Sequence, residues 1–111
     1  MKEWIALTSE ESVNTIIENS ANKAQIIFKD SLTCGISAHA KERLIDDYSI
    51  IEGKADFHYL DLLSFRAVSN YIAATLKVTH QSPQIIVLKD KKVVYTASHH
   101  AISASGISKL L

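Results

Sequence analysis

The chain switches repeatedly between short β-branched apolar runs and stretches where apolar residues return every three or four positions. Trp4-Ile5-Ala6-Leu7 reads as a short strand. Thr8, three residues before Glu11, has the spacing of a capping box for a helix with Val13, Ile16 and Ile17 on its buried face. Asn19-Ser20-Ala21-Asn22 ends that helix. Gln25 to Asp30 carries Ile26, Ile27 and Phe28 and predicts a buried central strand. Beyond a turn, Ile36, Ala40, Leu44, Tyr48 and Ile51 recur at helical spacing, and Glu52-Gly53-Lys54 reads as the stop. Residues 55–60 alternate as a half-buried strand does. Asp61 is the expected N-cap of a third helix with Leu62, Phe65, Val68, Ile72 and Leu76 as its inner stripe, ending near Val78. Past Thr79-His80-Gln81-Ser82 and the only proline, Pro83, residues 84–88 predict a strand. Lys89-Asp90-Lys91-Lys92 is a polar turn, and residues 93–96 complete an antiparallel hairpin. Ser98 is expected to cap a C-terminal helix carrying Ile102, Ile107 and Leu110.

The resulting order, β-α-β-α-β-α-β-β-α, predicts an α/β fold. Parallel strands joined by helices need right-handed crossovers, which place helices on both faces of the sheet. The closing hairpin makes that sheet mixed. This is the thioredoxin arrangement. No linker, repeat or low-complexity tract interrupts it, so residues 1–111 are expected to form one domain. Reactive groups in open α/β sheets gather at the carboxyl ends of the strands, near the topological switch.

Composition narrows the function classes. Lysine plus arginine balance aspartate plus glutamate at 12 each, which gives no whole-chain footprint for nucleic acid. Hydrophobic residues are 47%, yet no apolar run approaches membrane-spanning length. Glu3 lies inside the first apolar stretch, which does not read as a signal peptide, and a cytoplasmic location is expected. One cysteine excludes an internal disulfide framework and a cysteine-rich zinc site.

That cysteine, Cys34, falls where the central strand gives way to the second helix. A helix start has unpartnered N–H groups and partial positive charge, which favour a thiolate. The spacing Cys34-x-x-Ser37 stands where thioredoxins and glutaredoxins carry Cys-x-x-Cys. The spacing alone is a weak signal and does not outweigh the plainer reading of Cys34 as a small buried residue. Ser37 either donates to the thiolate or bonds to backbone or water. His80, three residues before Pro83, either faces the thiol or sits on the surface. His39 reads as solvated, and adjacent His99-His100 point in different directions on a helix, so no metal is expected. Arg66 and Asn70 share a helical face and read as a structural polar contact, and Trp4 as a core or edge residue. The helix starts near Gly35 and Ser98 suit carboxylates.

Thr33-Cys34-Gly35-Ile36-Ser37, Arg66-x-x-Ser69-Asn70 and His80-x-Ser82-Pro83-Gln84 together resemble the bacillithiol-system redox-active proteins, the monothiol bacilliredoxins of thioredoxin fold. The likeness runs from Trp4 to the Ala97-Ser98-His99 region. The family usually has proline after the cysteine where this chain has Gly35, and often arginine before it where this chain has Thr33. The resemblance implies a monothiol thiol-disulfide oxidoreductase in which Cys34 takes bacillithiol from protein mixed disulfides. Thr33, Gly35 and Ser37 would support the thiolate, and Ser82, Pro83, His80 and Ser98 would bind substrate. It implies a cis bond before Pro83. Partners are then bacillithiolated proteins and bacillithiol, with no cofactor beyond that co-substrate thiol, and a monomer is expected. The rival readings are a monothiol glutaredoxin-like enzyme using another low-molecular-weight thiol and a non-catalytic adaptor or stress-response protein. Ser31 stands where glutaredoxins typically have lysine, and Ala97-Ser98 where they often have a glycine pair; both weaken the glutaredoxin reading.

Overall fold

Strand β2, Ala24–Asp30, is buried along all seven residues and is the spine of the molecule. The computed structural model describes residues 4–31 and 35–111, with Ile36 described for its backbone alone. The sheet order is β1-β3-β2-β4-β5, with β1 at Trp4–Ala6, β3 at Ala55–Asp61, β4 at Gln84–Lys89 and β5 at Lys92–Ser98. Strand β3 runs parallel to both β1 and β2, whereas β4 is antiparallel to β2 and to β5. Helices α1 (Glu10–Asn19) and α3 (Arg66–Leu76) bring Val13, Ile16, Val68 and Ile72 against Ile27, Leu60, Ile86 and Leu88. On the other face, α2 (Gly35–Asp46) and α4 (Ala104–Ser108) bring Ala40, Leu44, Ala104 and Ile107 against Ile26, Phe28, Phe57, Ile85 and Val87. Alternation along β2 therefore feeds two cores. Trp4 anchors edge strand β1 to the second of these by stacking on Phe57 at 4.6 Å and Tyr59 at 5.6 Å between ring centres.

The expected order of elements holds, and the departures from it are local. Ser9, not Thr8, caps α1: its Oγ accepts from the Ser12 N–H at 3.1 Å, and Glu10 and Glu11 sit in the first turn where the helix dipole favours them. The second helix stops at Asp46, and a separate 3₁₀ turn spans Tyr48–Ile50. Two carboxylates, Asp46 and Asp47, oppose the dipole at that C-terminal end, while Tyr48 and Ile51 still reach the core at the spacing a continuous helix would give. Asp61 is not an N-cap. It stays in β3 because pairing with β2 continues through Asp30↔Asp61, and the Leu62 N–H donates to Asp30 O at 2.9 Å. Its carboxylate instead accepts from the Ser64 hydroxyl at 2.8 Å, and α3 begins only at Arg66. Ser98 is likewise not the cap of a long helix. It ends β5, a 3₁₀ turn follows at His99–Ala101, and the short α4 is capped by Ser103, which accepts from Gly106 N–H at 3.1 Å.

The β4–β5 turn is tighter than a four-residue turn. Asp90 and Lys91 have φ of 52° and 65°, the left-handed pair that suits the twist of a two-residue hairpin. The tip is sewn to the end of α1, since Asp90 N–H donates to Ser20 O at 2.8 Å and Lys91 N–H to Ser20 Oγ at 2.9 Å.

One buried polar cluster sits below the α1/α3 core. Gln25 donates to Asp56 Oδ2 at 2.8 Å and to Lys23 O at 3.1 Å, so its oxygen is left to accept from His58 Nε2–H at 2.7 Å. Burial holds His58 below its usual pKa, against the pull of Asp56, and the bond from Gln25 holds the Asp56 carboxyl low. Truncating the fully buried Ile72 to alanine should cost about 2–5 kcal/mol, read as a lower urea midpoint. Because the fold binds neutral His58 and the unfolded chain protonates first, the stability contributed by His58 is fully present above about pH 6.5 and is lost as pH falls below that value. Urea midpoints at pH 7 and pH 5 should therefore differ more in the native protein than in His58→Gln; parallel slopes would remove His58 from the acid response.

Candidate functional site

Strand β2 ends at Asp30 and helix α2 begins at Gly35, and four chain segments converge at that end of the sheet. Cys34 and Thr33 lie outside the described residues; what is described is the frame around them. Ser31 N–H donates to Ser37 Oγ at 3.3 Å, closing the chain across the turn, and Ser37 is fully buried. Of the two readings of Ser37, the backbone contact is thus present. Gly35 is exposed, and a Cβ there would meet nothing within 4 Å, so packing does not demand glycine.

The Ser82–Pro83 bond is cis, as expected. Pro83 directly precedes Gln84, which pairs with Lys29 of β2 on one side and Ser98 of β5 on the other. Pro83 O accepts from His99 N–H at 3.2 Å, so the proline loop and the end of β5 are joined by backbone. His99 has φ of 53°, a left-handed conformation that costs a side-chain-bearing residue and that glycine takes freely. Its carbonyl is clasped by Arg43 Nη2 of α2 at 3.4 Å, and the same nitrogen holds Ile102 O at 3.1 Å. Ser82 Oγ is buried with no partner among the described residues. An open cleft of about 520 Å³ runs beside this loop, lined by Val78, Thr79, Gln81, Gln84, Thr96 and Ser98 among others.

His80 is exposed, yet its Nδ1 is turned inward onto Lys29 Nζ at 3.3 Å and lies 3.5 Å from Ser69 Oγ. Lys29 also donates to Ser69 O at 3.3 Å. Its side chain is fully buried, and that burial pulls its pKa from 10.5 down to about 8. His80 is lowered too, first by its own partial burial and then by the positive charges of Lys29 and Arg66. On the opposite sheet face Tyr59 donates to the buried Asp30 carboxylate, and Lys41 of α2 sits 4.7 Å over the Tyr59 ring. Burial and the bond to Asp30 push the Tyr59 hydroxyl pKa up. Asp30 Oδ1 has no partner among the described residues.

Ser37, Ser82, Pro83, His80, Ser98 and Gly35 thus all lie on the frame at one end of the sheet. His39 is exposed on α2, and Arg66 and Asn70 are both exposed on α3 without a hydrogen bond between them. Among the described residues, no three His, Cys, Asp or Glu side chains gather as a metal site would require. Sequence reasoning passed over Lys29, Asp30, Arg43 and Tyr59. The signal for Lys29 was its phase: Gln25, Ile27 and Lys29 share a face of a strand buried on both sides, where a lysine needs an internal partner.

The comparisons with known proteins agree with this geometry. The chain is 30% identical, with a TM-score of 0.83, to a solved structure described as having a thioredoxin fold, covering 97% of this chain and 93% of that one. Thioredoxin from Fasciola hepatica superposes with a TM-score of 0.70 at 16% identity, over 96% of this chain and 94% of that chain. A thioredoxin from Nicotiana alata does so with 0.71 at 19%, over 97% and 89%. These last two likenesses establish the thioredoxin fold alone. The family described as monothiol bacilliredoxin BrxC matches residues 5–107, nearly the whole chain. This thioredoxin-fold protein, with its lone cysteine ahead of α2 and its cis-proline beside β2, belongs to the monothiol bacilliredoxin family.

Proposed function

We propose that the protein is a cytoplasmic, monomeric monothiol oxidoreductase that removes bacillithiol from protein mixed disulfides by transfer to Cys34. The observation that carries this reading is the serine at the fourth position of Cys34-x-x-Ser37, in a chain with one cysteine and membership of the bacilliredoxin family. A thiolate attacking a disulfide makes a new mixed disulfide. With no second thiol in the chain, that adduct cannot be resolved internally.

The steps follow from exchange chemistry. The Cys34 thiolate attacks the bacillithiol sulfur of the modified protein. A Cys34–bacillithiol disulfide forms, the old disulfide breaks, and the substrate cysteine leaves as a thiolate that takes a proton from water. A second bacillithiol thiolate then attacks the bacillithiol sulfur of the adduct, which gives bacillithiol disulfide and restores the Cys34 thiolate. No redox cofactor is required, since the co-substrate thiol supplies the electrons. The buried Ser37 hydroxyl accepts from the Ser31 N–H and keeps its own proton to donate. The Pro83–His99 backbone contact supports a docking edge for the incoming disulfide.

With a bacillithiolated and a glutathionylated protein offered in parallel and adducts followed by intact mass, native protein should gain bacillithiol faster than glutathione, and Cys34→Ser should gain neither. Equal or faster glutathione transfer would favour the glutaredoxin-like reading, and no adduct from either would favour the adaptor. Ser37→Ala should slow transfer by about a hundredfold at most, the upper range of a hydrogen bond to a charged group worth roughly 1.5–3 kcal/mol. Alkylation of Cys34 by iodoacetamide should report a pKa below the ~8.5 of a free cysteine, because Cys34 immediately precedes the first residue of α2.

A further inference from the structure

Two buried polar side chains meet one exposed histidine, and a third holds the backbone on either side of it. Lys29 comes from the central strand, Ser69 from α3 and Gln84 from β4; each is 2% exposed or less. Lys29 and Ser69 touch His80 itself. Gln84 holds its neighbours: its amide nitrogen donates to Thr79 O at 3.1 Å, and its oxygen accepts from Gln81 N–H at 3.4 Å. Burying a lysine is costly unless something inside answers it. Among the described residues no carboxylate lies within ion-pair distance of Lys29 Nζ, which contacts only the Ser69 carbonyl and His80 Nδ1.

An ammonium has donors and no acceptor. The nitrogen it faces, His80 Nδ1, must therefore accept, and the proton of a neutral imidazole must sit on Nε2, on the exposed side of the ring. We propose that Lys29 is a positioning residue that fixes His80 as a neutral Nε2–H donor beside cis-Pro83, where it recognises a carboxylate on the low-molecular-weight thiol entering the exchange site. The groups facing His80 agree on this. Lys29 from β2 and Arg66 from α3 both disfavour a second positive charge on the ring, Ser69 adds a neutral hydroxyl, and Gln84 acts only on the flanking backbone. The local field is positive with no described carboxylate to quench it, which suits an anionic ligand group.

The ligand half of this inference rests on Cys34 exchanging thiols; the Lys29–His80 half does not, and the experiment separates them. In the first arm, long-range ¹⁵N–¹H spectra of the isolated protein read the tautomer of His80. The native protein should hold the Nε2–H form at neutral pH and titrate below an ordinary histidine. Lys29→Met keeps the bulk of the side chain and removes its charge; it should mix the tautomers and raise the His80 titration. Unchanged tautomer and titration in Lys29→Met would overturn the positioning role even if exchange is normal.

In the second arm, Cys34 is reacted with 3,3′-dithiodipropionate, which carries carboxylates, and with neutral 2-hydroxyethyl disulfide, each rate taken relative to free cysteine. The native protein should prefer the dicarboxylate. His80→Ala should lower that preference by about tenfold or more, the effect of one charge-assisted hydrogen bond. His80→Gln, which keeps an amide donor, should retain more of it. Loss of reaction with both probes would count against the proposed exchange reaction and the carboxylate role together, leaving the first arm to decide the role of Lys29. A preference untouched by His80→Ala would overturn the recognition.

Discussion

Strand β2 is sealed between two helical layers, and each polar side chain it carries has to find a partner inside the protein. A buried polar group without a partner costs several kcal/mol, so this single constraint shapes much of what surrounds the strand. Gln25 at one end is met by His58, Asp56 and the Lys23 carbonyl. Lys29 and Asp30 at the other end are met by groups from α3, the loop before Pro83 and β3. The apolar middle, Ile26 to Phe28, supplies both cores. The strand thus separates its work by position: stability in the centre, and polar organisation at the end that meets the cysteine turn.

The same end also gathers elements far apart in sequence through backbone contacts. Pro83 is joined to His99, β2 to β4, and Leu62 to Asp30, all through main-chain groups. Such contacts tolerate change in side-chain identity. That is consistent with a fold shared with thioredoxins at only 16–19% identity. His99 makes the point sharply, since a residue with a side chain occupies a left-handed conformation held by Pro83 and Arg43.

Much of this was legible in the sequence, for physical reasons that also explain the misses. Apolar period gave the element order, because burial on one face or two is written directly into spacing. The cis bond before Pro83 was legible from placement and from resemblance. Caps were misplaced because a helix start is decided by competition. Asp61 has the right chemistry for a cap, but its backbone was already committed to the β2–β3 ladder. Thr8 has capping-box spacing, yet Ser9 is the residue whose oxygen reaches an amide of the first turn. Ser98 lost its helix because β5 runs two residues further than its apolar core suggests. Lys29 was missed because lysine reads as surface, and only the strand's burial on both faces turns it inward. Its partner His80 lies 51 residues away, a distance that no local pattern spans.

The stitch between the hairpin tip and the end of α1 has a consequence for how the chain can be cut or extended. Two-residue hairpin turns are ordinarily where foreign segments and new termini are best tolerated, since a loop tip has few obligations. Here the tip amides of Asp90 and Lys91 both terminate on Ser20, so opening that turn would also unfasten the first helix. The exposed turn at Glu52-Gly53-Lys54, where Gly53 takes φ of 79° and faces open space, is the better entry point for an inserted tag or a circular permutation.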